Sequence, residues 1–321
     1  MTNLLAHPTS WFDQDCLEDV SCDFCGANAA NHVYQRPDSL WVVQCERCGL
    51  LYLNPRPQEP ALISLYTNDY FVNPTGLAPS SYVDCFSSEQ IRDISFAARR
   101  RLAMVNKQTG LRGKRVLEIG CATGETSQAA AAAGASVVGY DFSRDALLRG
   151  RTRYPNLEFT AGAAQELPFR SGSFDAVFAF ELIEHLPSPS RGIHEMSRVL
   201  REGGVLVLTT PNAARGRQLG WNLWQGFHTS FEHPCFFDAR TLSTYLSRDG
   251  FTTEGIYSFG DGSVRPGSSG SWTKTTLRRV GLFNLAKSAY KRFFAPLLSD
   301  WKNGDGFHTL MVIARKCSAG S

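Results

Sequence analysis

The sequence predicts an α/β fold, a mostly parallel sheet flanked by helices, with a small cysteine-rich module ahead of it. Two observations predict it. From Gly113 onward, short apolar runs alternate with helical stretches, the pattern of strands buried on both faces by crossover helices. Upstream stand two Cys-x2-Cys pairs, Cys22 with Cys25 and Cys45 with Cys48, separated by 19 residues. That spacing suits a metal better than a disulfide framework. At 321 residues the chain has room for both units.

In chain order, residues 1–20 are acidic and irregular and are expected to form a loosely held arm. The cysteine module and its linker occupy 21–72, the module closing on Asn54-Pro55-Arg56-Pro57. A helical connection fills 73–110, where Glu89 to Gln108 sets Ile91, Ile94, Leu102 and Val105 at helical spacing among arginines. The main domain runs from 111 to 321. Its strands are expected at Arg115–Ile119, Ser136–Tyr140, Leu157–Ala161, Phe174–Phe180 and Val205–Thr210, with an antiparallel last strand at Thr309–Ala314. Helices are expected at Glu125–Ala133, Arg144–Tyr154, Ser190–Leu200 and Ala239–Asp249, with Gly134, Gly203-Gly204 and Gly250 as stops. Residues 211–238 form an insertion. Residues 273–299 form a basic amphipathic segment that carries Lys274, Arg278, Arg279, Lys287, Lys291 and Arg292 and no acid; it reads as a lid, a packing helix or a peripheral membrane contact.

Charge narrows the partners. The formal net charge is +3, yet residues 1–71 hold three basic and nine acidic residues, so the cysteine module is a poor grip for nucleic acid. No run of 18 apolar residues is present and Met1–Ser10 lacks the pattern of a secretory signal, so a cytoplasmic chain is expected.

Two paired knuckles put four thiolates within tetrahedral reach of one ion, and Gly26 and Gly49 follow them, letting backbone amides turn toward the sulfurs. A four-thiolate site is closed, so a Zn2+ held there is structural. Cys16, Cys85, Cys121, Cys235 and Cys317 lack such pairing and read as plain thiols. Further on, Val116 to Gly124 is a strand running into a turn that opens a helix, with Gly120 and Gly124 flanking Ala122 and with Glu118 before them. Such a turn lets a ligand lie against backbone amides. It departs from the Gly-x-Gly-x-x-Gly dinucleotide fingerprint. Asp141 ends the next strand, where a carboxylate either accepts both hydroxyl protons of a ribose or caps the following helix.

Glu118-x-Gly120-x3-Gly124, Asp141, Gln165-Glu166-Leu167-Pro168-Phe169, Ser173-Phe174-Asp175-Ala176-Val177, Glu184-His185-Leu186 and Arg198 to Gly204 follow one another in order over about 200 residues. This series resembles the motifs of class I S-adenosylmethionine-dependent methyltransferases. The resemblance implies a Rossmann-like sheet with a zinc-ribbon-like module in front and S-adenosyl-L-methionine as cofactor. It implies cofactor contacts from Glu118, Gly120, Cys121, Ala122 and Gly124, from Asp141 and Phe142, from Ala163 and Ala164, and from Phe180 and Glu181. One position departs from the family: its adenine loop commonly has Asp where this chain has Ala163. The Cys45 to Pro57 segment, Tyr66–Phe71, Thr210-Pro211-Asn212, Trp221, Trp224, Gly226 and His233 are further similar to bacterial glycan and secondary-metabolite methyltransferases with zinc-binding N-termini.

Methyl transfer from a sulfonium mainly needs alignment and exclusion of water, plus a base where the acceptor is a hydroxyl or an acidic carbon. Histidine suits that role near neutral pH. The candidates are His185 after the fourth strand and His228 and His233 in the insertion; each can equally be a structural hydrogen-bonding residue. Glu181 and Glu184 are placed at the same edge. Trp221 to Phe227 reads either as a mobile wall over the acceptor or as a satellite core. The expected activity is base-assisted O- or C-methylation of a small molecule such as a sugar, a lipid-linked glycan or a natural-product intermediate. The alternatives are an RNA-modifying methyltransferase that grips RNA through its zinc module, and a noncatalytic adaptor that keeps only the fold.

Overall fold

The computed structural model describes residues 12–65, 88–228, 231–259, 302–303 and 308–318. Tyr66–Phe71, Cys85 and the basic stretch 273–299 lie outside the described residues.

The N-terminal part is built from short strands. β1 (Leu17–Glu18) pairs antiparallel with β5 (Arg56–Pro57), so part of the stretch expected to be an irregular arm is tied down at its C-terminal end. Arg56 Nε donates to Glu18 at 3.0 Å across that pair. β2 (Ala30–Gln35), β3 (Trp41–Cys45) and β4 (Leu51–Leu53) form an antiparallel sheet. Leu51, Tyr52 and Leu53 are all buried, because both faces of β4 are covered.

In the main domain, β6 (Arg115–Ile119), β7 (Ser136–Asp141), β8 (Glu158–Ala161), β9 (Phe174–Phe180) and β10 (Leu200–Pro211) are parallel. Their near-continuous apolar sequences suit burial on both faces. The crossover helices Glu125–Ala132, Arg144–Arg153 and Pro189–Val199 fall within a residue or two of expectation. Ser188 caps the last of these, its side chain accepting from Arg191 N, a cap worth about 1 kcal/mol. β11 (Cys235–Phe236) comes next, and helix Ala239–Arg248 starts on a capping box between Asp238 and Thr241.

β12 (Phe251–Phe259) is a strand that pattern reading misses. Its register shifts between Thr253 and Gly255, and such an irregularity breaks the alternation by which strands are read. β13 (Lys302–Asn303) and β14 (Thr309–Lys316) complete a sheet of order β13-β12-β14-β10-β9-β6-β7-β8. β14 runs antiparallel to β10, as expected for the last strand. Because β6 lies between β7 and β9, the sheet reverses its winding there, and ligands of open α/β sheets bind at the carboxyl ends of such neighbouring strands.

The two units are interleaved. β11, from the insertion, pairs with β4, so the module's sheet has the order β11-β4-β3-β2. Trp224 and Phe227 pack with Leu40, Val42, Leu53 and Phe236 in one buried cluster, so the aromatic stretch of the insertion is a core that binds module to domain. A second core runs from Cys22, Val43 and Tyr52 of the module to Ile183, Leu186 and Phe237 of the main domain.

Candidate functional site

The Sγ atoms of Cys22, Cys25, Cys45 and Cys48 all lie within 4.8 Å of one another. Cys22 and Cys48 approach to 3.4 Å and Cys25 and Cys45 to 3.5 Å. Each knuckle closes through glycine in a left-handed conformation: Gly26 N donates to Cys22 O at 2.8 Å and Gly49 N to Cys45 O at 2.9 Å. The amides of Phe24 and Cys25 thereby face the Cys22 sulfur, and those of Arg47 and Cys48 face Cys45. Burial pushes the Cys22 and Cys48 thiols up, whereas at Cys45 the amides overcome burial and hold the thiol down. Amide donors aimed at sulfur favour the anionic form that binds metal.

At the carboxyl end of β6 the chain turns through three residues of positive φ, Gly120 at 76°, Ala122 at 47° and Gly124 at 87°. A Cβ at Gly124 would meet the Phe159 ring at 2.7 Å, so this position is closed to any side chain. Ala122 is held in its uncommon conformation by a hydrogen bond from its amide to Asp141 Oδ2 at 2.8 Å. Asp141 Oδ1 accepts from Ser143 N at 2.8 Å. Ser143, not Asp141, caps the next helix, which removes the capping alternative. The Phe142 amide faces the same carboxylate, and burial raises Asp141 against the pull of these three amides. Phe142 beside it is 45% exposed, offering an aromatic face at that edge.

Glu118 is buried and accepts a hydrogen bond from Ser127 Oγ. Burial raises its carboxyl to about 8, against the pull of its hydroxyl donors. Ala163 follows β8, its carbonyl accepting from Tyr140 Oη at 3.2 Å; Ala164 is in the core. Phe180 ends β9, and Glu181 follows at φ 50°, its amide bonded to Thr209 O at 3.0 Å. Arg101, which sequence reasoning treats only as part of a helix, lies over the Phe180 ring at 4.8 Å and acts electrostatically on Glu181 and Glu118. An arginine at a helical position flanked by apolar Leu102 and Val105 is the signal that was available.

Of the three histidines, the structure joins two. The rings of His185, in the short turn Ile183–His185 after β9, and His233 stand perpendicular at 4.3 Å between centroids. Ligand-type atoms of Glu184, His185 and His233 lie within 4.8 Å of one another. Glu184 Oε1 and Oε2 and His233 Nδ1 are buried without a hydrogen-bond partner. Burial holds His185 down at about 3. Burial, then His185 and Arg36, hold His233 well below the usual histidine range. Glu184 is raised by burial and by the nearby Glu181. His228 stands apart: its Nε2 lies 3.3 Å from Tyr34 Oη and 3.3 Å from Trp221 O, a structural placement.

Residues 89–255, just over half of the chain, match the family described as Methyltransferase domain. The chain belongs to this methyltransferase family. Over 151 residues it is 35% identical to the demethylmenaquinone methyltransferase of Renibacterium salmoninarum, covering 47% of this chain and 55% of that protein. Over 117 residues it is 36% identical to the ubiquinone biosynthesis O-methyltransferase of Aromatoleum aromaticum, covering 35% and 50%. The methyltransferase thus spans about half the length of the curated relatives it matches. A solved complex of the Haloferax volcanii Trm112 methyltransferase activator with a methyltransferase is similar at TM-score 0.51 and 15% identity, over 72% of this chain and 95% of that one. At that identity the likeness shows the fold, the Rossmann-like sheet of class I methyltransferases.

Proposed function

We propose that this chain transfers a methyl group from S-adenosyl-L-methionine to an oxygen or acidic carbon of a small-molecule acceptor. The observation that carries the acceptor side is the His185–His233 pair, with unpartnered polar atoms around it, at the same sheet edge as the glycine turn. When bound, the cofactor supplies a methyl carbon made electrophilic by its sulfonium. In this reading the Gly120–Gly124 turn and Arg101 hold the methionine portion, Asp141 the ribose, and Phe142 with Ala163 and Ala164 the adenine. The fit rests on the place of the Asp141 carboxylate at the end of β7, fixed by the Ala122 and Ser143 amides, and on the exposed Phe142 ring. With Ala163 in place of the family's usual acid, the adenine amino group falls to backbone acceptors.

His233 then takes the acceptor's proton as the methyl group is transferred. A histidine held neutral keeps its lone pair available across the physiological range. His185 packs edge-on and fixes the ring. The four cysteines hold one structural Zn2+, which their convergence and amide donors suit. The acceptor is assigned to the class of sugars, lipid-linked glycans or natural-product intermediates; among the described residues no helix is long and apolar enough to cross a membrane. The acidic module speaks against RNA as acceptor. The test is transfer of labelled methyl from S-adenosylmethionine into a metabolite extract, beside calorimetric binding of the cofactor. Binding without transfer to any metabolite, but with transfer to RNA, would replace this reading.

A further inference from the structure

We propose that Asp23 and Arg36 of the cysteine module are positioning residues for the histidine pair, fixing from two sides the segments that carry His185 and His233. The inference rests on the reading of that pair as the acceptor side.

Arg36 is 2% exposed. Its guanidinium is paired with the fully buried Asp38 carboxylate and stands over the Phe231 ring at 5.3 Å. The remaining donors leave the module: Nη1 donates to His233 O at 3.2 Å and Nη2 to Phe231 O at 3.0 Å. A neutralised, fully desolvated pair is a weak source of stability but a strong source of registry, because displacing it strands a charge. Arginine is the residue whose rigid fork can meet a carboxylate and two carbonyls together. Immediately after His233, Leu53 N donates to Pro234 O at 2.9 Å, and Cys235 stands opposite Tyr52 across the β4–β11 pair. The His233 segment is therefore held on the module's sheet on both sides of the histidine.

Asp23 lies inside the first knuckle, between Cys22 and Cys25. Its carboxylate accepts from Ser188 Oγ at 2.7 Å, Ser190 N at 2.9 Å and Tyr245 Oη at 3.2 Å, and its carbonyl accepts from Ser190 Oγ at 3.0 Å. Arg56 donates to Pro187 O. These bonds fix residues 187–190 directly after His185, at the start of helix Pro189–Val199, where a carboxylate is also favoured by the helix dipole. The hydrogen bonds described for Asp23 and Arg36 reach neither the glycine turn nor Asp141. Both residues thus act on one side of the site only.

The test uses the full chain with Arg36→Met, Arg36→Lys and Asp23→Ala. The readouts are the imidazole NMR resonances of His185 and His233, assigned by replacing each with Gln, together with zinc content and calorimetric affinity for S-adenosylmethionine. Arg36→Met is expected to displace the His233 resonances and Asp23→Ala those of His185, with zinc retained and cofactor affinity within about twofold. Methyl transfer into a metabolite extract should fall by up to about 10²-fold, the scale of a misplacement near 1 Å. Arg36→Lys keeps the charge without the fork, so it should hold zinc and still displace His233. Unchanged His233 resonances in a zinc-replete Arg36→Lys or Arg36→Met protein overturn the proposal, as does loss of zinc in both, which would make Arg36 a folding residue only. Failure of the methyltransferase reading is separate: the unaltered chain would then not bind S-adenosylmethionine.

Discussion

The two halves of the site are assembled in opposite ways. On the proposed cofactor side, Glu118, the Gly120–Gly124 turn and Asp141 come from one continuous strand, helix and strand within 24 residues, and the bond from Ala122 to Asp141 joins residues 19 apart. On the proposed acceptor side, the His185 turn, the His233 segment and the module meet through contacts such as Arg36 to His233, 197 residues apart. Local assembly ties a site to the stability of one supersecondary unit, whereas distant assembly ties it to the docking of several. The acceptor side should therefore fail selectively, leaving cofactor binding intact.

The largest expected effect tests that selectivity. Cys45→Ser should reduce metal content from one zinc per chain to none and abolish methyl transfer, with S-adenosylmethionine affinity kept within about twofold. Joint loss of both affinities would mean that the halves unfold together. Next, His233→Ala should lower turnover by about 10²–10⁴-fold at nearly constant cofactor affinity, the range for a removed general base. A comparable loss seen only in His185→Ala would move the base to the fourth parallel strand. From the other half, Asp141→Ala should weaken S-adenosylmethionine by about tenfold or more in calorimetry, as a charged hydrogen bond contributes about 1.5–3 kcal/mol; an unchanged constant would remove the ribose assignment.

The smallest effect is on stability without ligand. Glu118 is raised from 4.5 to about 8 in the folded chain, so between those values the folded state binds a proton that the unfolded state does not. Its contribution is full below 4.5 and is lost as pH rises toward 8. Glu118→Gln should flatten the decline of the thermal midpoint across that window, as followed by circular dichroism. A slope equal to that of the parent would place the proton elsewhere.

This contrast also explains what the sequence disclosed. The elements of the proposed cofactor side were legible because a strand, a glycine turn and an acid at the next strand end are written in consecutive residues. The cysteine cluster was legible because four thiols at fixed spacing carry their chemistry in their spacing. His185 and His233 were legible as residue types only; their pairing depends on β4 meeting β11, and a two-residue strand inside an insertion leaves no periodic trace. Asp23, Arg36 and Asp38 read as ordinary polar residues of an acidic module, since burial by a segment some 200 residues downstream is invisible locally. Similarly, β12 was hidden by its bulge at Thr253–Gly255, and Trp221 to Phe227 became a core because the module supplied the other half of its surface.

The pairing of Leu51 with Phe236 has a consequence for synthesis. A chain emerging from the ribosome exposes β2, β3 and β4 early, but the strand that covers β4 is made only after most of the sheet of the main domain. Until then β4 is a free apolar edge, the kind of surface on which nascent chains join one another. The charged residues around it, Glu46, Arg47 and Arg56, oppose such pairing. Contacts of this span close slowly, which lengthens the time that the β4 edge stays open.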